Sequence, residues 1–340
     1  MRAMGATQQK RVVLEHAITG KPKRADFRIV EELLPDLAEG QILFRILHAS
    51  VDPGVRSRLS GADSYSAALK PHETIDGFSI GEIIESRNDR WKVGDRAALA
   101  AGWCDHFVCD GKGYLQKIKD DRPPLTAWIG VLGVPGLTAW FGLHRVAEAK
   151  EGETLLVTSA AGPVGATAGQ IAKQRGVKVI GIAGGAEKCA WLESAGFDAT
   201  IDRHATPDLA AAIRDVAPKG VDILFDNVGN AMIDLALPLM RPRGRIVVSG
   251  QVADYSTPHD QRVGLKNTDR FITHRLRMEG LVVFDDIRAF PEAQKQMADW
   301  IVAGVLKVKE ERFRGIENLP RAFCDLFESN AAFGRRIVDL

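Results

Sequence analysis

Residues 154–188 read TLLVTSAAGPVGATAGQIAKQRGVKVIGIAGGAEK, and the order of residue types along them decides the fold. Thr154 to Thr158 is a short apolar, β-branched run, Ser159 to Gly165 is small and glycine-rich, and Ala166 to Arg175 carries Ala168, Ile171 and Ala172 at helical spacing. Val177 to Ala183 is a second apolar β-branched run. The stretch therefore predicts strand, tight turn, helix and strand, a βαβ unit of about the ~30 residues that a dinucleotide-binding fold uses. The turn, Ala160-Ala161-Gly162-Pro163-Val164-Gly165, stops short of a full G-x-G-x-x-G. Gly162 and Gly165 still lack a Cβ, so the chain can turn sharply and a pyrophosphate can approach the first amides of the helix, where the dipole favours an anion. Gly169 is the third small position, expected to let helix and strand pack closely.

The end of the second strand bears on which nucleotide binds. An NAD site places a carboxylate there to accept the ribose hydroxyls, and that charge repels a 2′-phosphate. Here the position reads Ala183-Gly184-Gly185, with Lys188 following and Arg203 after the next predicted strand as a second cation. The expectation is NADPH, with Gly162 and Gly165 at the pyrophosphate, Lys188 and Arg203 as cations for the 2′-phosphate, and Gly184 among the cofactor contacts.

Composition excludes several classes of partner. Lys and Arg number 45 against 44 Asp and Glu, a net charge of +1, and the basic residues are spread along the 340-residue chain. No nucleic acid and no anionic membrane is expected as a partner. No apolar run approaches the ~20 residues that span a bilayer, and MRAMGATQQKRVVLEH has no apolar signal core, so the expected location is cytoplasmic. Four cysteines, Cys104, Cys109, Cys189 and Cys324, are too scattered for a disulfide framework. Cys104 and Cys109 with His106 between them have no second pair to complete a zinc tetrahedron, so no metal is expected.

Along the chain, residues 1 to about 128 read as β-rich. Arg11 to Leu14, Gln41 to Ala49, Phe78 to Arg87 and Arg96 to Ala100 are strand-like runs between Gly, Pro and Asp turns, and Ala101 to Asp110 reads as a further short strand pair. Between them lies HASVDPGVRSRLSGADSY, His48 to Tyr65, in which Asp52-Pro53-Gly54 is a turn by its chemistry. Arg56 and Arg58 follow it, readable as surface charges or as substrate contacts. From Leu132 the pattern turns helical, with Leu137, Trp140, Phe141 and Val146 on one face. After Lys188 strands and helices alternate: a helix over Cys189 to Ala195, a strand at Ala199 to Ile201, a helix over Pro207 to Val216, and a strand at Val221 to Phe225. A helix through Leu239, a strand at Arg245 to Ser249 and an apolar run from Leu276 to Phe284 complete the series.

This alternation predicts an α/β fold with a doubly wound parallel sheet of six strands, whose ligand lies past the carboxyl ends of the strands. That rule singles out Asn227, the segment Ser249-Gly250-Gln251 through Tyr255, and the residues after Val283. The tail RRIVDL is strand-like and is expected to rejoin the first domain. The domains are therefore drawn as 1–128 with 305–340, and 129–304.

Laid out this way, the chain resembles the zinc-independent medium-chain dehydrogenases/reductases, in particular the leukotriene B4 dehydrogenase, prostaglandin reductase and curcumin reductase-like group. SVDPGVR, SYS, GVPGLTAWFGL, AAGPVGATAGQIAK, AEK, FDNVG, GRIVVSG and LRMEGLVVF match that group's pattern in order over almost the whole chain. The resemblance implies a Rossmann domain with a GroES-like substrate domain and NADPH-dependent reduction of the activated C=C bond of an α,β-unsaturated ketone or aldehyde. It also implies cofactor contacts at Gly162, Pro163, Val164 and Gly165 for the pyrophosphate, at Lys188 for the 2′-phosphate, at Asn227, at Ser249, Gly250, Gln251 through Tyr255, at Leu281, Val283 and Phe284, and at Asn330. A homodimer would pair Leu276 to Phe284, read as the last Rossmann strand, across a two-fold axis. Where the zinc-dependent branch carries Gly-His-Glu, this chain has Asp76-Gly77-Phe78. Where the group has Asp-Pro-Tyr-Met-Arg, this chain has Asp52-Pro53-Gly54-Val55-Arg56, and the lost ring implies a bulkier or differently oriented substrate.

The oxygen of such a substrate needs a donor aimed at the developing enolate. Tyr255 is the first candidate and Tyr65 the second, with Asp52, Gly54, Arg56 and Tyr65 as expected substrate neighbours. Two alternatives stay open on sequence alone. One is a zinc-free quinone or carbonyl reductase of the same fold; the other is a non-catalytic NADPH-binding protein.

Overall fold

The computed structural model describes residues 7–61, 67–328 and 333–340. The chain divides into two compact units, one of Met1–Ile129, Glu310–Ala331 and Arg335–Leu340, the other of Gly130–Lys309 and Ala332–Gly334.

The second unit is built on a six-stranded parallel sheet. Its strands are β1 (Thr154–Val157), β2 (Lys178–Ala183), β3 (Ala199–Asp202), β4 (Val221–Asp226), β5 (Met240–Val248) and β6 (Arg277–Gly280), in the spatial order 3-2-1-4-5-6. Leu155, Leu156 and Val157 are all fully buried, because helices cover both faces of such a sheet and leave no solvent side for alternation. One face is filled by Leu156, Ile180, Ile182, Leu224, Ile233 and Ile246.

The helix Pro163–Gln174 follows the glycine turn. Proline suits its first position, where the missing N–H costs no hydrogen bond. A Cβ on Gly165 would stand 2.7 Å from the Ser159 carbonyl oxygen, so the turn tolerates no side chain there. At Gly169 the neighbour is the Phe197 ring, at 2.0 Å from an added Cβ, and the same ring lies 2.9 Å from an added Cβ on Gly181. Close packing of helix and strand is thus mediated by a phenylalanine wedged over both glycines.

The last strand is shorter than expected. Only Arg277–Gly280 pairs as a strand of the sheet, and the apolar residues after it lead into a turn, Val283–Ala289, in which Val283 is buried while Val282 and Phe284 are exposed.

The first unit carries a seven-stranded sheet, with Glu310–Arg314, Arg335–Asp339, Ile42–Ser50, Ser79–Ser86, Arg96–Leu99 and Leu115–Lys117 in spatial order and His106–Cys109 beside Ile42–Ser50. The tail strand Arg335–Asp339 runs antiparallel to Ile42–Ser50. Ala101 to Asp110 yields one strand and not a pair: Cys104 makes only an isolated bridge to Arg11, while His106–Cys109 joins the sheet. Phe27–Leu33, unforeseen, forms a two-stranded ribbon with Gln8–Leu14.

The wedge at Gly169 yields a test. Gly169→Ala should destabilise the protein by about 1–3 kcal/mol, as overpacking of a full core does, and Phe197→Leu in the same chain should recover part of that loss. Thermal melts of the two variants against wild type check it; equal melting of Gly169→Ala and wild type would remove the wedge from the packing account.

Candidate active site

The winding of the second unit reverses between β1 and β4, and at that point the strand ends are joined through side chains. Thr158, just past β1, donates its hydroxyl to Asp226 Oδ1 at 2.6 Å, and the Gly229 amide donates to the other carboxylate oxygen at 2.8 Å. Asp226 is wholly buried, and burial pushes its carboxyl up to about 6 against the opposing effect of those hydrogen bonds.

The same threonine fixes the next residue. The Asn227 amide donates to Thr158 Oγ1 at 2.9 Å, the Asn227 Nδ2 donates to the Thr158 carbonyl at 2.8 Å, and Ser249 donates its hydroxyl to Asn227 Oδ1 at 2.6 Å. Asn227 and Ser249, both expected at the cofactor, are thereby held together across the ends of β4 and β5. The loop after β5 is laid on the loop after β4 by Val252 and Ala253, whose amides donate to the carbonyls of Asn227 and Val228. Tyr255 turns back within this loop, its phenol oxygen accepting the Gln251 amide at 3.3 Å and lying 3.5 Å from an added Cβ on Gly250. Leu281 joins the cluster through its amide, which donates to the Val248 carbonyl at 3.3 Å. Five expected positions, Asn227, Ser249, Gly250, Gln251 and Tyr255, thus form one connected group.

At the other side of β1, Gly162 precedes the helix, and Pro163, Val164 and Gly165 form its first turn. The end of β2 carries a different chemistry. A Cβ on Gly184 would meet His204 Cε1 at 2.8 Å, His204 Nε2 at 3.0 Å and Arg203 Nε at 3.2 Å. Cations and an imidazole therefore occupy the space an acidic side chain at 184 would need. A carboxylate is nearby, but on β3: Asp202 Oδ1 accepts the Gly185 amide at 2.7 Å and the His204 amide at 2.9 Å. Those two bonds lead the causes that hold its carboxyl below the usual range. Thr158, Asp226, Asp202 and His204 were missed by sequence reasoning; the only signal was that each stands at the carboxyl end of a predicted strand.

In the first unit, Asp52 precedes a 3₁₀ turn over Pro53–Arg58. Its carboxylate takes a forked pair from Arg335, whose Nη2 lies 3.1 Å from Oδ2, and accepts the Ser50 hydroxyl at 2.7 Å. Arg335 is buried and also donates to the Ile129 carbonyl at 2.9 Å. Arg56 is not a surface charge. It is 2 % exposed and donates to the carbonyls of Ile18 and Gly20 at 2.9 and 2.7 Å, bracing that turn. Gly54 is half-buried, its carbonyl accepting the Ser57 hydroxyl at 2.8 Å. Asp76 is ion-paired to Arg58. Tyr65 and Asn330 lie outside the described residues. Among the described residues no group of three or more His, Cys, Asp or Glu is placed to hold a metal ion.

Residues 10–118 match the family described as the N-terminal domain of oxidoreductase, and residues 163–302 that described as zinc-binding dehydrogenase. Together with the two units these matches define the class, a medium-chain dehydrogenase/reductase. Within it, the chain is 36% identical to the NADPH-dependent curcumin reductase of Escherichia coli, over 98% of each protein. It is 35% identical to the NADP(+)-dependent 2-alkenal reductase of Nicotiana tabacum, over 97% of this chain and 96% of that one. CurA of Vibrio vulnificus, solved in complex with NADPH, superposes with a TM-score of 0.90 at 33% identity, covering 97% of this chain and 98% of that one. The chain therefore belongs to the zinc-independent curcumin and prostaglandin reductase group of that superfamily.

The buried Asp226 predicts a pH effect of definite sign. A carboxyl raised to about 6 in the folded state binds its proton more tightly than in the unfolded chain, so this group's contribution to stability falls as pH rises from about 4 through 6. A shift of about two units corresponds to about 3 kcal/mol. The melting temperature of wild type relative to Asp226→Asn should accordingly rise as pH is lowered from 7 to 5. Scanning calorimetry of both proteins across that range checks it, and parallel curves would mean that Asp226 is not held in the raised state.

Proposed function

We infer that this protein is an NADPH-dependent reductase of the activated C=C bond of α,β-unsaturated ketones and aldehydes. The observation that carries the reading is near-full-length identity to two proteins named for reducing curcumin and 2-alkenals with this cofactor, both conjugated carbonyl compounds. The second unit fits the nicotinamide nucleotide on its own geometry. Gly165 leaves no room for a side chain at the phosphate turn, and the space beside Gly184 is taken by Arg203 and His204 where an NAD-type acid would stand. Gly162, Pro163, Val164 and Gly165 would hold the pyrophosphate, Lys188 and Arg203 the 2′-phosphate, and Asn227, Ser249 and Leu281 to Phe284 the nicotinamide end.

The bound nicotinamide supplies a hydride for the β-carbon of the substrate. The chain's own part is to stabilise the negative charge that then develops on the carbonyl oxygen. Tyr255 is suited to this. Its phenol is a hydrogen-bond donor by type, and its oxygen is set in the loop after β5 by accepting the Gln251 amide. The Asn227 amide, gripped at both ends by Thr158 and Ser249, gives the loop a fixed base against which Tyr255 is presented.

No helix among the described residues is long and apolar enough to cross a membrane. A cytoplasmic location is our reading, supported by four cysteines none of which is in a disulfide. A homodimer is likewise our reading. It is supported by β6, which among the described residues pairs only with β5 and leaves its four residues exposed.

The reading is tested by following NADPH and NADH oxidation with alkenals, bulky aryl enones, quinones and saturated ketones, with products identified by mass and NMR. A saturated carbonyl formed much faster with NADPH is expected; reduction only at C=O, or only of quinones, overturns it. Tyr255→Phe should lower kcat by about 10- to 100-fold, as loss of one donor at an oxyanion does, while the Kd for NADPH stays near wild type. An unchanged kcat would remove Tyr255 from the chemistry.

A further inference from the structure

The loop that follows β3 brings an imidazole to the end of β2, and neither the glycine turn nor the expected cations account for it. His204 Cε1 and Nε2 lie 2.8 and 3.0 Å from the point where a Cβ on Gly184 would stand, beside Arg203 Nε at 3.2 Å. The backbone of His204 is set there by Asp202, whose Oδ1 accepts both the His204 amide and the amide of Gly185. One carboxylate thus staples the start of the loop after β3 to the turn after β2. The charged groups beside the imidazole on its own segment are Asp202 and Arg203.

We propose that His204 is a specificity-determining residue for the cofactor, its imidazole donating to the adenosine 2′-phosphate beside Arg203, with Asp202 as the positioning residue that holds it at Gly184. The inference rests on the NADPH reading above and deepens it. A phosphate dianion offers three terminal oxygens, each able to accept more than one hydrogen bond, so beside Lys188 and Arg203 an imidazole N–H can supply a further charge-assisted bond. A side chain at 184 would have to displace the tip of that ring, so the imidazole and a residue longer than glycine compete for the same space.

The test is calorimetric titration of the whole enzyme with 2′,5′-ADP and with 5′-AMP, which differ only in the 2′-phosphate. Wild type should bind 2′,5′-ADP far more tightly. His204→Ala should weaken 2′,5′-ADP by about 5- to 10-fold, the loss of one charge-assisted hydrogen bond, and leave 5′-AMP within about twofold. His204→Lys, which restores an N–H donor, should recover most of the difference, and the KM ratio of NADPH to NADH should move in step. Wild-type affinity of His204→Ala for 2′,5′-ADP overturns the proposal. Equal losses on both ligands overturn it too, since His204 would then only hold the loop. A wild type that fails to discriminate the two ligands overturns the NADPH assignment of this turn, and the inference with it.

Discussion

The contact on which the nucleotide-binding unit depends is the hydrogen bond from Thr158 to Asp226. A carboxylate removed from water is costly unless its oxygens are satisfied, and here one oxygen takes the threonine hydroxyl and the other the Gly229 amide. The bond crosses the place where the sheet's winding reverses, which is where such folds open a crevice outside the strand ends. It therefore closes the floor of the crevice. From the same threonine the chain continues into Asn227, from Asn227 to Ser249, and from Ser249 along the loop that carries Tyr255. A single buried side-chain pair sets the geometry of four residues in two loops.

How much of this was legible in the sequence depended on whether the signal was local. β1, β2 and β4 were readable because strands buried on both faces appear as unbroken apolar runs, and the phosphate turn because glycine spacing is a local property. The same logic overran at 276–284, where the residues past Gly280 leave the sheet for a turn, and it passed over FRIVEEL, whose charges belong to an exposed two-stranded ribbon. Arg56 and Asp52 illustrate the other failure. Their residue types suggest a polar surface or a substrate contact, whereas their partners, the carbonyls of Ile18 and Gly20 and the guanidinium of Arg335, lie 36 to 283 residues away and leave no local trace. Asp226 and Thr158, 68 residues apart, were hidden for the same reason.

The choice of nucleotide shows why an absent residue is an incomplete argument. No acid follows β2, yet the register of the sheet sets Asp202 opposite Ala183, so a carboxylate does stand beside the turn. Its position differs from that of an acid at 184, and one of its oxygens is committed: Oδ1 accepts two backbone amides, and those bonds fix Gly185 and His204 against each other. An acid placed on β2 would be a ligand for ribose hydroxyls; the same acid placed one strand over becomes a staple for the loop that follows it. The residues which that loop presents at Gly184 are Arg203 and His204, and the carboxylate holds the second of them through its amide. On the cofactor site proposed above, removing Asp202 to lessen repulsion would loosen His204 as well, so the acid and its neighbour act as one device.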